Sequence, residues 1–532
     1  MKPMSIRLIL LCALWAVPTF LMAKTQRNES QGIVHKDVDS RIWLVEQTQP
    51  WLESQNPTAI GLTTLPNMGI TQIAGEHLAG DLHRQMESSA VNSWGFGANS
   101  YQALKHVNLW GDFSFAEKHH IGRAFSDNFA PYNGNPYQVG SSLKGNYTEQ
   151  MFDFGVKLSS KRVWKRWWFG VGLDYAIGDL SRTQDPRSRV QFVDMTLTPG
   201  FVVEIKKRHK LGAHFSYRYR KEKNTPYISK SKDDKEYKLY LQEGLGVFQS
   251  VLSSSFDRRQ KGNYYGGGLV YEFTNRDFKL FSQVDFVKRT DDIEDRKKQT
   301  PGDYADKSLT VQVKGLWLKE TKRHALTMDF SWVKGDAQKA FQELVSETDP
   351  ITGITTSHFE TKFMSKSFTH DLMQLNVAWN LTHLRSKDYL WHIGVLAGFH
   401  SMKDKYVFYT PSSKMEVGTM TFGVEGGALL WSKARHRMTI EGAVNYYFNM
   451  KNNYFLSPDV DDQFIAQSVH SIDFWVMTSN MLDLGLKLKY FYPLSKKLDG
   501  FVSMDGRYLI STTDTAFKRG RCSLSLGFTR RF

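Results

Sequence analysis

From Met481 to Tyr492 the residues Leu482, Leu484, Leu486, Leu488, Tyr490 and Tyr492 alternate with Asp483, Gly485, Lys487 and Lys489. Successive side chains of a strand point to opposite faces, so this spacing predicts a strand that is apolar on one side and polar on the other. The pattern returns in Val502, Met504, Tyr508 and Ile510 against Ser503, Asp505 and Arg507. It closes the chain, with Cys522, Leu524, Leu526, Phe528 and Phe532 opposing Ser523, Ser525, Gly527 and Thr529. Upstream, Met438 to Phe448, Met373 to Leu381, Leu326 to Trp332, Leu211 to Tyr219 and Trp167 to Tyr175 repeat it. Beyond the first residues no apolar run approaches the roughly 20 that a membrane helix needs.

A soluble sandwich also alternates, with its apolar face inward. Three features favour a membrane barrel instead. Aromatic residues gather near strand ends (Trp167 and Trp168, Tyr446 and Tyr447, Tyr490 and Tyr492), as in interfacial girdles. Connections alternate between short and long. The last residue, Phe532, lies on an alternating strand, where a soluble chain usually frays into a polar tail.

The short connections fall at Ser159–Arg166, Lys206–Lys210, Thr274–Asp277, Lys319–Arg323, Thr382–Asp388, Ser432–His436 and Pro493–Leu498. The long ones span approximately Lys221–Gly262, Lys288–Lys307, Lys334–Thr369, Ser401–Val417 and Asn449–Asn480. Counting from about Ser88 gives 18 strands, or 16 if the earliest pair is misread. Pro199 falls inside one of them, where its missing N–H predicts a bulge or a strand end. The expected fold is all-β: a transmembrane antiparallel barrel of roughly 16–18 strands with a short N-terminal plug-like segment.

Composition and the chain ends sharpen this reading. Aromatics make up 14% of the chain and glycine is frequent at 40 residues, which suits many short strands rather than long helices. Lys2 and Arg7 followed by the apolar stretch Leu8–Phe20 read as a signal peptide over residues 1–23, too short to span a bilayer. Its removal takes Cys12 and leaves Cys522 as the one cysteine, so no internal disulfide is expected. The net charge of +15 could suggest nucleic acid, but the basic residues sit on separate short turns such as Lys161–Arg166 and Lys206–Lys210, without interleaved stacking aromatics. A solvated rim is the plain reading. Anionic lipid headgroups or an acidic periplasmic partner are the sharper one.

Residues 24–68 are set apart as an N-terminal periplasmic or plug segment, and 69–532 as the barrel. Residues 24–38 are polar, Ser40–Glu46 and Trp51-Leu52 could form short amphipathic helical turns, and Asn56-Pro57-Thr58-Ala59 forms a turn signal. The order of signal peptide, Trp-containing segment, Asn-Pro turn and glycine-containing first strands resembles outer-membrane barrel families of Bacteroidota, including one of unknown function. It is also similar to the fatty-acid-transporter superfamily, which implies a barrel with an N-terminal hatch, here at Asn56 and Pro57. At the other end, Leu524, Leu526, Phe528 and Phe532 resemble the terminal signal read by the barrel-assembly machinery. Arg530 departs from that pattern, and Phe532 could equally be a plain interfacial anchor.

Chemistry is sparse. His119 and His120 are expected in a solvated turn, and no nucleophile–His–carboxylate set, phosphate loop or Cys-x-x-Cys is present. An enzyme is not expected, nor a cofactor or metal. The residues that alternation turns inward are Asp174, His214, Arg218, Asp285, Lys314, Asp329 and His392. To these it adds Glu425, Glu441, Asp483, Lys487, Asp505 and Arg507. Acids and bases are mixed, so no strong ion selectivity is implied. A barrel of this size encloses an aqueous channel unless filled, by residues 24–67 or by a long connection such as Lys334–Thr369. An integral outer-membrane, porin-like channel or facilitated transporter for small solutes is the leading expectation. The alternative is a non-conducting accessory barrel that docks with a transporter, a secretion complex or a surface lipoprotein, for which the long connections argue. A hydrophobic-ligand transporter with a hatch is a third. Residues 24–67 are too few for the folded plug of an energy-coupled receptor. Expected partners are outer-membrane lipid, the assembly machinery and another outer-membrane protein.

Overall fold

The computed structural model describes residues 48–532, apart from 229–236, 252–255, 297–298, 349, 386–387, 434 and 461–465. The expected signal peptide and residues 24–47 lie outside the described residues. Eighteen strands form one antiparallel sheet. In chain order the wall comprises β1 Met68–Gly80, β2 Ala90–Ala103, β3 Val107–Arg123, β5 Gly145–Ser160, β6 Trp167–Arg182 and β7 Arg187–Lys206. It continues with β8 His209–Tyr227, β11 Arg258–Thr274, β12 Phe278–Asp295, β13 Gly302–Leu318, β14 Lys322–Thr348 and β15 Thr355–Arg385. β16 Asp388–Tyr406, β17 Ser413–Lys433, β18 His436–Phe455, β19 Met481–Pro493, β20 Leu498–Ser511 and β21 Lys518–Arg531 complete it. β1 pairs with β2 on one edge and with β21 on the other, from Met68↔Arg531 to Gly80↔Arg519. The sheet is therefore closed, and every wall strand finds hydrogen-bond partners on both sides, which a bilayer requires.

Alternation decides the two faces. On β6, Phe169, Val171, Leu173, Tyr175 and Ile177 are exposed around the outside, and so are Leu524, Leu526 and Phe528 on β21 and Phe532 just after it. The intervening residues face the interior. Eight short turns, such as 161–166, 275–277 and 494–497, all lie at the end that holds Met68 and Phe532. This is the turn end. The opposite, loop end carries the longer connections, which contribute β4 Val139–Ser141, β9 Leu239–Gly244 and β10 Val247–Val251 as a small separate sheet. The helix α1, Ile472–Thr478, follows a π turn at Ala466–Ser471.

Several expectations are corrected. The first wall strand is β1, upstream of the expected start near Ser88. β7 runs through Pro199 with neither bulge nor end there. Its ladder to β8 pairs Leu197↔Tyr217, skips Thr198 and Pro199, and resumes in the same register at Gly200↔His214. On the other side Pro199 pairs with Val171, and a strand held on that edge tolerates one lost donor. His119 and His120 are on β3, not in a turn. The His120 ring lies 3.0 Å from Ser88 Oγ and 3.1 Å from Glu149 Oε2. The expected long connection Lys334–Thr369 is strand for nearly its whole length. β14 and β15 pair from Lys322↔His383 to Thr348↔Thr355. β13 accompanies β14 only to Lys339 and β16 accompanies β15 only from Phe368, so the remainder projects as a two-stranded ribbon. Its residues are mostly exposed on both faces, which left no alternation to read, and it cannot fill the lumen.

Candidate functional site

Two bodies of chain lie inside the barrel, one at each end. At the turn end, Pro50 and Pro57 each open a 3-10 turn, Pro50–Glu53 and Pro57–Gly61, where a missing N–H costs nothing. Asn56 stands between them, fully buried. Its Oδ1 accepts from the Thr58 amide at 3.0 Å and caps the second turn. Its Nδ2 donates to the carbonyls of Phe201 on β7 and Ala213 on β8, at 3.0 and 3.1 Å. The wall is cut away to receive it. A Cβ on Gly200 would stand 2.4 Å from Asn56 Oδ1, and one on Gly170 would stand 2.7 Å from the Thr58 nitrogen.

The rest of residues 48–63 spreads along the inner wall. Ser54 Oγ donates to Gln283 Oε1 on β12 at 2.7 Å, and Lys314 on β13 meets Glu53 at 2.8 Å. Ser159 on β5 donates to the Thr58 carbonyl and Tyr101 on β2 to that of Ile60. Trp51 packs with Trp168, Val202, Val270 and Phe281, edge-on to the last at 5.5 Å. These contacts run from β2 to β13. Asn56 and Pro57, read from sequence as the hatch turn, sit at their centre. Glu53, Ser54, Ser159 and Tyr101 were missed, because their role depends on strands distant in sequence. The signal that could have found them is the set of inward glycines on adjacent strands, Gly170, Gly172, Gly200 and Gly212.

The candidate lumen residues divide into groups. Around the segment, His214 Nε2 lies 3.0 Å from Asp285 Oδ1, Arg218 bonds Asp194 at 2.8 Å, and Asp329 accepts from Gln312 at 3.0 Å. Asp174 stands opposite Gly155 on β5, apart from these. Lys314 is held by Glu53 and is 3% exposed. Across the lumen, His392 Nδ1 lies 2.7 Å from Tyr389 Oη. A Cβ on Gly427 would meet both His392 and Glu441, and one on Gly394 would meet Glu425 and Asn380, so these side chains adjoin. Register sets Lys487 between Glu441 and Asp505, opposite both. Directly opposed side chains on one face are neighbours, so this row alternates acid, base, acid. Asp483 is fully buried and takes Arg507 Nε at 2.8 Å and Asn445 Nδ2 at 3.1 Å. Asp505 meets Arg521 at 3.2 Å. The arrangement lines the interior with paired charges. Among the described residues there is no group of three or more His, Cys, Asp or Glu placed to hold a metal.

At the loop end the chain after β3 folds inward and crosses the barrel. Phe129 packs on Phe192, its amide donating to Glu222 of β8 at 3.2 Å. Asn135 then bonds Asp291 on β12 at 2.9 Å, and Tyr137 donates to the Gln338 carbonyl on β14 at 2.7 Å. β4 in this segment pairs with β9 from the β8–β11 connection. A second junction ties three connections together. Asp473 of α1 accepts from the Gln85 amide at 2.7 Å and from Tyr132 Oη at 2.8 Å. Arg84 lies 3.5 Å over the Tyr132 ring and bonds Glu87, which also meets Arg519. Burial pushes the Asp473 carboxyl up to about 6 against the opposing pull of Arg84. Burial brings His470, in the preceding turn, down to about 4.

Residues 57–529 match the family described as "Family of unknown function (DUF6850)". No curated protein matches the chain. Among solved structures it is similar to the copper transporter OprC, at 10% identity over 88% of this chain and 82% of that one, with a TM-score of 0.41. It is similar to the siderophore receptor PirA from Acinetobacter baumannii, at 9% identity over 88% and 81%, with a TM-score of 0.40. A FadL homologue of Pseudomonas aeruginosa matches at 10% identity over 90% and 93%, with a TM-score of 0.30. Likenesses this distant carry no inference about a solute.

Proposed function

The chain belongs to the DUF6850 family of unknown function, and on that premise we propose that it is an outer-membrane channel or facilitated transporter for small polar solutes. In this reading residues 48–63 gate the turn end and the folded connections cap the loop end. The turn end faces the periplasm, as short turns do in outer-membrane barrels, and the loop end faces outside. The apolar belt meets lipid.

One observation carries the reading. The contacts of residues 48–63 reach β2 to β13, whereas Glu425, Glu441, Lys487, Asp505 and Arg507 lie on the inner face of β17–β20, on the other side. Polar and charged side chains line a barrel interior at no cost only where water or a polar solute meets them, or where they pair. A solute would pass along this row, exchanging one charged neighbour for the next. The reading assigns no enzymatic role and no cofactor. Liposomes carrying the refolded protein should swell in small sugars or amino acids faster than empty ones when the Asn56 contacts are removed. Equal swelling with and without protein, in every such variant, would refute it.

The second reading, an accessory barrel that docks with another surface protein, rests on the β14–β15 ribbon. Leu344, Ile351, Ile354 and Phe363 are exposed there, and residues 341–348 pair only with 355–363 among the described residues. An isolated ribbon is marginally stable and its free edges accept another strand. Loss of a co-purifying outer-membrane partner on ribbon deletion would support this reading, and unchanged co-purification would remove it.

A further inference from the structure

The charge of the chain is concentrated at one end. All eight short turns at the turn end carry Lys or Arg in or beside them, and two of them, residues 161–166 and 206–210, carry four each. Of the acids among them, Glu204 is engaged by Arg162 at 2.8 Å and Asp499 by both Arg435 and Arg531, while Asp277, Glu320 and Asp388 stand exposed beside Arg276, Lys319 and Arg385. The loop end is mixed instead, with Asp81, Arg84 and Glu87 in one connection, Asp185 and Arg187 about another, and Asp514 and Lys518 about a third. A basic collar, with a basic residue in or beside every turn and bases outnumbering acids around the rim, is therefore a feature of the turn end alone.

Aromatic rings stand at the same height on the outer wall. Trp164, between the paired basic residues of its turn, is 76% exposed. Trp167 stacks on Phe169, Trp317 packs on Phe278, and Trp431 stacks on Tyr490, each next to a basic turn. Indole and phenol rings settle at the headgroup level of a bilayer, which places the neighbouring ammonium and guanidinium groups beside lipid phosphates.

We propose that this collar binds the headgroups of anionic phospholipids in the leaflet at the turn end. A docked protein would touch one sector of the rim, whereas lipid surrounds all of it, as the basic turns do. Guanidinium groups pair with phosphate through two parallel bonds, and lysines add point charge. Each basic side chain near an anionic surface contributes about fivefold to the partition of that lipid, and salt screens it within about 10 Å. The inference does not depend on whether the lumen conducts.

The test is lipid retention by the full chain, purified in micelles doped with equal phosphatidylglycerol and phosphatidylcholine and read by native mass spectrometry. The wild type should retain phosphatidylglycerol several-fold in excess, and the excess should collapse in about 0.5 M salt. The quadruple variant K165Q, R166Q, K206Q and K207Q should bring the excess close to parity, as about fivefold per charge allows. The loop-end pair R187Q and K518Q should leave it unchanged. No preference in the wild type, or one that survives both the salt and the quadruple variant, would overturn the proposal. The salt arm needs no variant, so a quadruple variant that fails to insert still leaves a decisive result. An oligo-glutamate peptide that displaces the retained phosphatidylglycerol and takes its place would show an acidic polypeptide as the occupant, and would overturn it too.

Discussion

Asn56 donates through its side-chain amide to the backbone carbonyl of Phe201 at 3.0 Å, joining the segment before the first strand to the barrel wall 145 residues later. The same amide reaches Ala213, and its oxygen caps the following turn. Asn56→Ala removes all three bonds from a fully buried site. Each contributes about 0.5–1 kcal/mol, so docking of the segment should weaken by roughly 2 kcal/mol with the barrel intact. Cleavage between the segment and β1 by a protease added from the turn end should accelerate about thirtyfold. Cleavage at the wild-type rate would mean that the segment is held by other contacts.

Lys314 is 3% exposed and its carboxylate partner is Glu53, which the segment itself carries. Glu53→Gln leaves a buried ammonium without a countercharge, at a cost of about 1–3 kcal/mol for a pair with one partly exposed member. Lys314→Met in the same background should recover much of it, because the unpaired charge is what destabilises. Protease sensitivity of the double variant decides this. If it is as sensitive as Glu53→Gln alone, the ion pair is not the cause.

The junction at Asp473 should respond to acid. Its carboxyl is raised from 3.8 to about 6 in the closed cap, so the closed form holds a proton that an opened form releases. Stability from this group is complete below about pH 4 and is lost as pH rises toward about 6. Hydrogen-exchange protection of residues 124–144 and 466–478, corrected for the intrinsic rate, should therefore fall between those values. Asp473→Asn should flatten the profile at the protected level, and a wild-type profile with no such fall would contradict the assignment.

The β14–β15 ribbon beyond Phe368 should be dispensable for the barrel. Joining Ala340 to Met364 through a two-residue turn removes residues whose strand partners are only one another, together with the Phe341–Phe408 ring contact and the bond from the Thr300 amide to Gln342. Heat-modifiable migration and the unfolding midpoint should match wild type to within about 0.5 kcal/mol. A barrel that no longer assembles would show that the ribbon packs on more than itself.

The wall was legible in the sequence because its signal is local. Leu482, Leu484, Leu486 and Leu488 face outward while Asp483, Lys487 and Lys489 face the interior, and a period of two shows in any ten residues. The short turns were legible for the same reason. The ribbon was not, since Glu343, Glu347, Glu360 and Lys362 leave it without a buried face. Toward the loop end the outer wall is less apolar, so the alternation fades and β12, β13, β16 and β17 run further than expected. The interior was the least legible. Asn56 could be singled out as a turn residue, but its partners on β7 and β8 are fixed only by closure of the barrel. β4 and β9 come from two different connections, and neither carries a pattern that announces the other.

The central claim is that the barrel is a conduit closed by the segment around Asn56. Single-channel recording in planar bilayers of the full chain, beside Gly200→Val, tests it most directly. Valine keeps the strand but drives a side chain into the place of Asn56 Oδ1, which would stand 2.4 Å from its Cβ. The account predicts rare, brief openings for the full chain and sustained stepwise conductance for Gly200→Val. No conductance from either, with both migrating as folded heat-modifiable barrels, would contradict it.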